Sequence, residues 1–275
     1  DVITRAGEPQ RAIQLIVEGV VELFHEGVSV TALKAGMAYG AMQMLARAPS
    51  VLGVAAEDTR IMEIPASAFE LALDENYTAL RSVLGVVGSA ALVARGHLPV
   101  DPNVPRTLDE GVYYDEPSSL VERLIQVRTG NFAYMNIEAL VDLAREMKEV
   151  RFPAGHVIWS MGDLADHSLY IDCGRVRCSA ADGRHVDIGR DFTLGVLDVW
   201  GSRARAYDAR SETPVIGFRI EFESFLRLLE THVEVGIQIL RVFAQVFLNS
   251  RALWASQGRS QALSEGATIH PLAAP

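Results

Sequence analysis

The sequence predicts an α+β protein, mainly β, with two antiparallel β-rolls of the jelly-roll type, each flanked by helices. Two observations predict this fold. Shifting the 275-residue chain by 155 positions aligns residues 2–57 with residues 157–212. Each aligned copy begins with short segments of alternating apolar and polar residues, separated by glycines, and such segments are typical of antiparallel strands.

The glycines between the predicted strands recur in one register, and the aligned pairs are Gly7 and Gly162, Gly19 and Gly174, and Gly40 and Gly195. Glycine is favoured where the backbone needs a positive φ, so these positions predict turns. Asp182-Gly183 lies between two predicted strands and predicts a two-residue hairpin turn. Each copy ends in two predicted helices, over 66–73 and 77–93 in the first and over 223–230 and 233–254 in the second.

The predicted domain boundaries follow from the repeat. We expect a first domain over 1–96, a linker over 97–118, a second domain over 119–262 and a flexible tail over 263–275. The linker carries four prolines in residues 97–117 and few apolar residues, which predicts an exposed connection.

Two helices are predicted between the linker and the second roll. Ser119 and Glu122 form a capping box, and Asn136 is predicted to cap a helix over 137–148. The segment 152–155, FPAG, opens the second roll and has no counterpart in the first. We therefore expect residues before Asp1 in the natural chain.

Composition restricts the classes of function. Hydrophobic residues make up 49% of the chain and charged residues 22%, which indicates a globular protein. The net charge of −10 opposes a broad nucleic-acid surface. Cys173 and Cys178 are interpreted as lying on opposite faces of one strand, which predicts no disulfide and a cytoplasmic setting. Polar residues interrupt the apolar segment 233–248, so no membrane span is predicted.

One stretch predicts a ligand site. Residues 193–210 follow the pattern of a strand, a tight turn at Gly195, a few apolar helical residues and a basic segment. Backbone N–H groups at the start of a helix and a nearby arginine can together hold a phosphate. The aligned stretch 38–56 keeps its turn glycine, Gly40, but has Ser50 where the second copy has Arg205.

The second copy resembles the cyclic nucleotide-binding domain family. The resemblance lies in residues 152–177, FPAGHVIWSMGDLADHSLYIDCGRVR, in an I-G-x-x-F motif at 188–192, and in residues 194–209, LGVLDVWGSRARAYDA. The first copy resembles a more divergent member over 1–24 and 39–56. The resemblance implies an eight-stranded β-roll with helices before and after it, and cAMP or cGMP as the ligand, with no cofactor.

Members of that family bind the ribose 2′-hydroxyl with the glutamate of a Phe-Gly-Glu turn and the cyclic phosphate with an arginine nine residues later. The resemblance implies ligand positions at Leu194, Gly195, Val196, Arg205 and Ala206 in the second copy, and at Tyr39, Gly40, Ala41 and Ser50 in the first. Both glutamates are missing, and one arginine remains. A lost carboxylate partner costs about 1–3 kcal/mol. The first copy is therefore predicted not to bind a cyclic nucleotide, whereas the second retains half of the site.

Other interpretations of these residues stay open. Arg205 is either a phosphate ligand or a surface residue paired with Asp198 or Asp208. Asp198 could replace the lost carboxylate, but its position two residues further along the short helix predicts that it faces elsewhere. His167 is predicted to lie at the surface.

A metal site is a further alternative, because cupin metalloenzymes share the β-roll. His185 and Asp187 would lie on one face of a strand, and such a pair can bind iron together with a distant histidine. The position of the pair at an exposed hairpin favours solvated side chains. We therefore expect no metal site and no catalytic residue.

The last predicted helix is apolar around most of its circumference, which predicts burial on more than one side. It could form a homodimer interface, bind a protein partner or pack entirely within the chain. Taken together, the sequence predicts a non-enzymatic cytoplasmic regulatory or sensor protein, in which Arg205 contacts a cyclic nucleotide. The alternative is a ligand-free scaffold that binds a protein partner or itself.

Overall fold

The computed structural model describes residues 1–25, 27–96, 98–100, 107–129 and 132–256. The predicted flexible tail lies outside the described residues, as does part of the predicted linker. The chain divides into two compact units, one formed by Asp1–Glu70 with the described residues from Leu248, the other by Leu71–Phe247.

The first unit contains the first roll. Its elements are β1 (Val2–Thr4), β2 (Ala12–Glu18), β3 (Val20–His25), β4 (Val28–Lys34), β5 (Ala38–Tyr39), α1 (Ala41–Ala46), β6 (Leu52–Ala55) and β7 (Arg60–Pro65). They form one antiparallel sheet in the order β1-β6-β3-β4 and a second in the order β5-β2-β7. Ile16, Val21, Leu23 and Tyr39 form the buried cluster of this roll.

Four helices of the described residues lie between the two rolls in sequence. They are α2 (Ala66–Glu75), α3 (Tyr77–Arg95), α4 (Leu120–Thr129) and α5 (Ile137–Glu146). The predicted capping box is confirmed, because Ser119 N–H donates to Glu122 Oε2 at 2.7 Å and Glu122 N–H donates to Ser119 Oγ at 3.3 Å. The Asn136 cap is also confirmed. The predicted helix over 137–148 is too long, since Lys148 begins a strand.

The second roll lies in the second unit. Its elements are β8 (Lys148–Phe152), β9 (Val157–Trp159), β10 (His167–Cys173), β11 (Val176–Ser179), β12 (His185–Ile188), β13 (Phe192–Leu194), α6 (Val196–Gly201), β14 (Asp208–Ser211), β15 (Val215–Glu221), α7 (Phe222–Thr231) and α8 (Val233–Ser256). The sheets have the orders β12-β11-β14-β9 and β13-β10-β15-β8. Apart from β8, these orders reproduce those of the first roll element for element, which confirms the predicted fold class.

Two details of the second roll differ from the sequence predictions. The turn at Asp182-Gly183 is longer than two residues: Gly183 N–H donates to Ala180 O at 3.0 Å, and Ala180 N–H donates to Arg184 O at 2.8 Å. The two cysteines lie on different strands because the turn at Gly174 separates them, and both are buried free thiols. The sequence prediction assumed that both cysteines lie on one strand, and this assumption was wrong.

The linker prediction was wrong for several described residues. Leu98 and Val100 are 1% and 7% exposed and belong to the core cluster of the second roll. Further along, the Arg151 guanidinium donates to the Tyr114 and Glu116 carbonyl oxygens at 2.8 and 3.0 Å. Proline-rich composition indicates an absence of regular structure, but it does not by itself indicate exposure.

Helix α3 packs closely on α6 within the second unit. A Cβ on Gly88 would lie 3.0 Å from Trp200 Cβ, and a Cβ on Gly201 would lie 2.9 Å from Ser89 Cα. Small residues therefore allow the two backbones to approach. Among the described residues, α3 is also the one helix that is long and apolar enough to cross a membrane by length and composition. The sequence prediction examined only residues 233–248 as a possible membrane span and did not identify α3.

Candidate functional site

The ligand residues predicted in the second roll, 194–196 and 205–206, lie around the turn at Gly195. We call this group the second cassette, and the group formed by residues 39–41 and 50 in the first roll the first cassette. Gly195 follows Leu194 at the end of β13 and precedes Val196, the first residue of α6, with φ at 77°. A Cβ at this position would lie 2.4 Å from Arg205 Nη1. Glycine is therefore required both by the backbone conformation and by the close approach of the arginine.

Arg205 is buried, with an exposed fraction of 2%, so the interpretation as a surface residue is wrong. Its Cζ lies 4.0 Å from the centroid of the Trp159 ring, which is a cation–π distance. Arg205 Nε and Nη1 have no hydrogen-bond partner among the described residues. Burial lowers the pKa of Arg205, because the charged form is less well solvated than in water.

His167 lies beside Arg205 and not at the surface as predicted. Its Nδ1 is 2.5 Å from Asp166 Oδ1 and 3.1 Å from Arg205 Nη2. A carboxylate can only accept, so the short contact places the proton on Nδ1, and Arg205 Nη2 then has no lone pair to donate to there. Burial lowers the pKa of His167, which favours this neutral form. His167 therefore lies beside the guanidinium without accepting a hydrogen bond from it.

Asp198 is the site residue that the sequence analysis placed wrongly. Its exposed fraction is 1%, it accepts a backbone hydrogen bond from Ala206, and it interacts electrostatically with Arg205. Asp198 Oδ2 has no hydrogen-bond partner among the described residues. Burial raises the pKa of Asp198 to about 6. The side chain at position 198 of α6 therefore lies in the interior, near the backbone of the residue that follows Arg205.

Tyr207 closes the other side of the cassette. The Gly195 N–H donates to Tyr207 Oη at 2.9 Å, so this backbone donor is already used within the protein. Tyr207 and Trp159 belong to the same core cluster as Leu98 and Val100. The core to which Trp159 and Tyr207 belong thus includes apolar residues from the chain segment before the roll.

The first roll has a cassette of the same shape with different chemistry. Gly40 is the residue before α1 and has φ at 88°, after the buried Tyr39 and before the half-buried Ala41. A Cβ on Gly40 would lie 2.4 Å from Gln10 Nε2. That amide donates to Ala12 O at 2.5 Å and to Gln14 Oε1 at 2.8 Å. A neutral amide therefore stands at Gly40 where the second cassette has a guanidinium at Gly195.

Ser50, which aligns with Arg205, is used inside the first roll. Its Oγ lies 2.5 Å from Arg5 O and 3.0 Å from Glu8 O, so the hydroxyl proton has acceptors within the protein. A cleft of about 450 Å³ adjoins this cassette and is lined by Ile3, Thr4, Arg5, Glu8, Pro9, Gln10, Arg11, Ala12, Gln14, Ser50 and Glu63. No buried cation of the described residues faces it in the way that Arg205 faces the second cassette.

The residues considered for a metal site are engaged otherwise. Arg177 donates to both Asp187 carboxylate oxygens, at 2.8 and 3.0 Å. His185 is exposed at the start of β12. Within the described part of the chain, no group of three or more His, Cys, Asp or Glu side chains is arranged to hold a metal ion.

Comparison with known proteins gives one family match. Residues 149–232 match the family model described as the cyclic nucleotide-binding domain. A curated relative, the CRP-like cAMP-activated global transcriptional regulator of Mycobacterium tuberculosis, is 26% identical over 126 residues, which are 44% of this chain and 56% of the relative. The chain thus spans little more than half the length of that relative.

Solved structures similar to this chain include two kinase regulatory proteins. The regulatory domain of Toxoplasma gondii PKA with cAMP has 14% identity and a TM-score of 0.37, with 89% of this chain and 81% of that chain covered. The regulatory subunit of a cAMP-independent protein kinase A from Trypanosoma brucei has 16% identity and a TM-score of 0.39, with 94% and 79% covered.

Proposed function

Since residues 149–232 belong to the cyclic nucleotide-binding domain family, we propose that this protein is a non-enzymatic regulatory module whose second roll binds a cyclic nucleotide or a related phosphate ester at Arg205. The first roll, in this proposal, does not bind such a ligand. The observation that carries the proposal is the burial of Arg205 with Nε and Nη1 unpartnered among the described residues.

A buried guanidinium without a carboxylate partner is costly. The effective penalty for removing an ion from water is several kcal/mol, and only good geometry with an opposite charge repays it. Among the described residues no carboxylate accepts from Arg205 Nε or Nη1, although Asp198 and Asp166 act on the guanidinium electrostatically. A phosphate ester at this point would accept charge-assisted hydrogen bonds from the guanidinium, where no side chain of the described residues accepts from Nε or Nη1.

The missing glutamate limits affinity. Val196 stands at its position and cannot accept a hydrogen bond from a ligand hydroxyl. A hydroxyl buried there without an acceptor costs about 1–3 kcal/mol, or roughly one to two decades in affinity. We therefore expect binding in the micromolar to millimolar range.

The contact between α3 and α6 offers a path for a signal. α6 carries Asp198 and directly follows Gly195, and its last residue, Gly201, packs against Ser89 of α3. A ligand that shifts α6 by a fraction of an ångström would press on the α3 backbone, because the glycine contacts leave no space between the helices. Occupancy would therefore be sensed by α3.

The remaining parts of the proposal are a cytoplasmic location and a partner. Buried free thiols at Cys173 and Cys178 are consistent with a reducing compartment. Val242 on α8 is 48% exposed, which leaves part of that apolar helix available to a second copy or to a protein partner. The presence of the thiols and the exposure of α8 support these parts, and the ligand proposal does not depend on them.

Calorimetric titration with cAMP, cGMP and a cyclic dinucleotide tests the ligand proposal. We expect heat with at least one of them for the natural protein and none for Arg205→Met, which keeps the volume and removes the donors. Arg210→Met is the matched control, because Arg210 is exposed on β14. No heat and no thermal shift at millimolar concentration of any of the three would overturn the proposal.

A ligand-free scaffold is the second candidate, favoured by the burial of Leu98 and Val100 in the core of the second roll. In that case the interior is filled permanently by the chain itself. Arg205→Met distinguishes the two functions, since a scaffold would keep its partner binding with this substitution and a sensor would lose its ligand response.

A further inference from the structure

A tryptophan packs on the arginine of the second cassette and carries a donor that the protein leaves unused. Trp159 is the last residue of β9 and is 4% exposed. The Cζ atom of Arg205 lies 4.0 Å from the centroid of its ring. Trp159 Nε1 is buried and has no hydrogen-bond partner among the described residues, as is also true of Arg205 Nε and Nη1. Three donor nitrogens on two adjacent side chains thus lack an acceptor.

The aromatic neighbours of Trp159 hold the indole in place without accepting from it. The His167 ring meets the indole edge-on with centroids 5.9 Å apart, and its Nδ1 is bound to Asp166. The Tyr207 ring lies 5.9 Å away on another side, and its Oη accepts from the Gly195 N–H. A buried donor without an acceptor is destabilising, and proteins rarely leave one. Because an indole N–H can only donate, the acceptor must come from a bound molecule.

The aligned positions of the first roll have the opposite arrangement. Thr4 aligns with Trp159, and it ends β1 as Trp159 ends β9. Thr4 Oγ1 donates to Val51 O at 2.8 Å, so this hydroxyl is used within the roll. Ser50, which aligns with Arg205, likewise has two carbonyl oxygens of its own roll within hydrogen-bond distance. Both donor positions therefore change together between the copies, and they lack acceptors in the roll that is proposed to bind a ligand.

We propose that Trp159 is a ligand-binding residue of the second cassette, whose indole N–H joins Arg205 in holding one oxyanion, the phosphate group of the ligand. The inference rests on the proposed function, since it adds a residue to the same site. A guanidinium and an indole N–H can only donate. An anion with several terminal oxygens accepts from both groups and also neutralises the buried charge, whereas an uncharged nucleoside leaves that charge in place. The pair therefore selects a phosphorylated ligand over its nucleoside.

Trp159→Phe tests the donor apart from the stack, because it keeps an aromatic face for the guanidinium and removes the N–H. We expect the affinities for cAMP and for inorganic phosphate, measured by calorimetry, to fall about tenfold or more, since a hydrogen bond to a charged group is lost. Trp200→Phe is the matched control. Trp200 is also buried and packs edge-on against Phe222 with centroids 4.9 Å apart, and its substitution should leave both affinities unchanged.

Fluorescence gives a second readout that leaves Trp159 in place. The double variant Trp200→Phe with Trp254→Phe retains Trp159 alone of the three tryptophans in the chain. We expect its emission to change on titration with cAMP and with inorganic phosphate, because the anion binds the indole N–H itself. Adenosine, which lacks the phosphate, should leave the emission unchanged. This titration decides the inference even where Trp159→Phe fails to fold.

The outcomes separate the inference from the proposed function. If the natural protein binds cAMP while Trp159→Phe binds it equally tightly, or while the emission of Trp159 stays constant, the inference is wrong and the proposed function stands. If inorganic phosphate binds in a way that depends on Trp159 and no cyclic nucleotide binds, the inference stands and the proposed function is wrong. If neither inorganic phosphate nor any cyclic nucleotide gives heat or a change in emission, both are wrong.

Discussion

The two cassettes share a backbone and differ in the side chain that faces the turn glycine. At Gly40 the neighbour is the neutral amide of Gln10, whose two protons are bonded to Ala12 O and Gln14 Oε1. At Gly195 the neighbour is the Arg205 guanidinium, two of whose nitrogens have no hydrogen-bond partner among the described residues. The same backbone can thus carry a neutral side chain whose donors are all hydrogen-bonded, or a cationic side chain with donors that remain without a partner. A conserved backbone shape in two copies does not imply a shared ligand chemistry.

The largest expected effect concerns Leu98, which fills the core of the second roll. Leu98→Ala should lower the free energy of unfolding by about 2–5 kcal/mol, because a buried side chain is removed from a packed interior. Chemical denaturation measures this loss. Leu108→Ala is the control, since Leu108 is 37% exposed and should cost far less. Equal small losses would show that the linker does not contribute to the core.

The next largest effect is a dependence of the free energy of unfolding on pH that comes from the second cassette, because Asp198 is a buried carboxyl and the described residues of the first cassette include no such group. The folded pKa of Asp198, about 6, lies above the unfolded value of about 3.9. Between these values the folded protein binds more protons than the unfolded chain, so the free energy of unfolding falls as pH rises from 4 to 7. The shift corresponds to on the order of 2–3 kcal/mol.

Urea unfolding at several pH values, compared between the natural protein and Asp198→Asn, isolates this contribution from other titrating groups. The natural protein should lose stability relative to the variant as pH rises through 6. A difference between the two that does not change with pH would contradict the assignment of a raised pKa to Asp198.

Restoring the missing glutamate should affect the two cassettes differently. Val196→Glu should raise the affinity of the second cassette for cAMP about tenfold or more, because a hydroxyl of the ligand gains an acceptor. Inorganic phosphate has no ribose, and its affinity should not rise. Ala41→Glu with Ser50→Arg should give no binding in the first roll, since the Gln10 amide remains at Gly40. Calorimetry of both variants measures these affinities, and binding of cAMP by the first roll would contradict the difference proposed between the two cassettes.

The smallest effect on stability is expected from alanine at the two turn glycines. Both have a positive φ, so either substitution should cost about 1–2 kcal/mol. In Gly195→Ala the new methyl group must also displace Arg205, which Trp159 holds from one face. We therefore expect ligand heat to disappear in Gly195→Ala and to be unchanged in Gly40→Ala. Retained heat in Gly195→Ala would place the ligand elsewhere.

The sequence predicted the repeat, the helices and the caps well, because these depend on local patterns. Glycine spacing, alternating apolar residues and the Ser119–Glu122 box each report nearby backbone structure. The strand orders of the two rolls then match as the repeat requires. Helix ends and turn lengths were less accurate, as at Lys148 and Gly183, because they depend on where tertiary pairing begins.

The site was predicted less completely, for reasons of distance along the chain. Asp198 lies seven positions before Arg205, and no pattern of residue types reveals that its side chain lies in the interior. His167 contacts Arg205 from strand β10, 38 positions earlier in the chain. The prolines around Leu98 indicated a loop, and only the packed roll shows that this loop enters the core. The negative charge of Asp198, close in sequence to Arg205, was the feature of the sequence that could have placed Asp198 at the site.

The most direct test of the central claim compares the aligned positions Arg205 and Ser50 in one titration series. Calorimetry with cAMP is performed on the natural protein, on Arg205→Met and on Ser50→Ala. We expect heat for the natural protein and for Ser50→Ala, with equal affinity, and no heat for Arg205→Met. Heat that survives Arg205→Met and disappears in Ser50→Ala would place the ligand in the first roll and contradict the account.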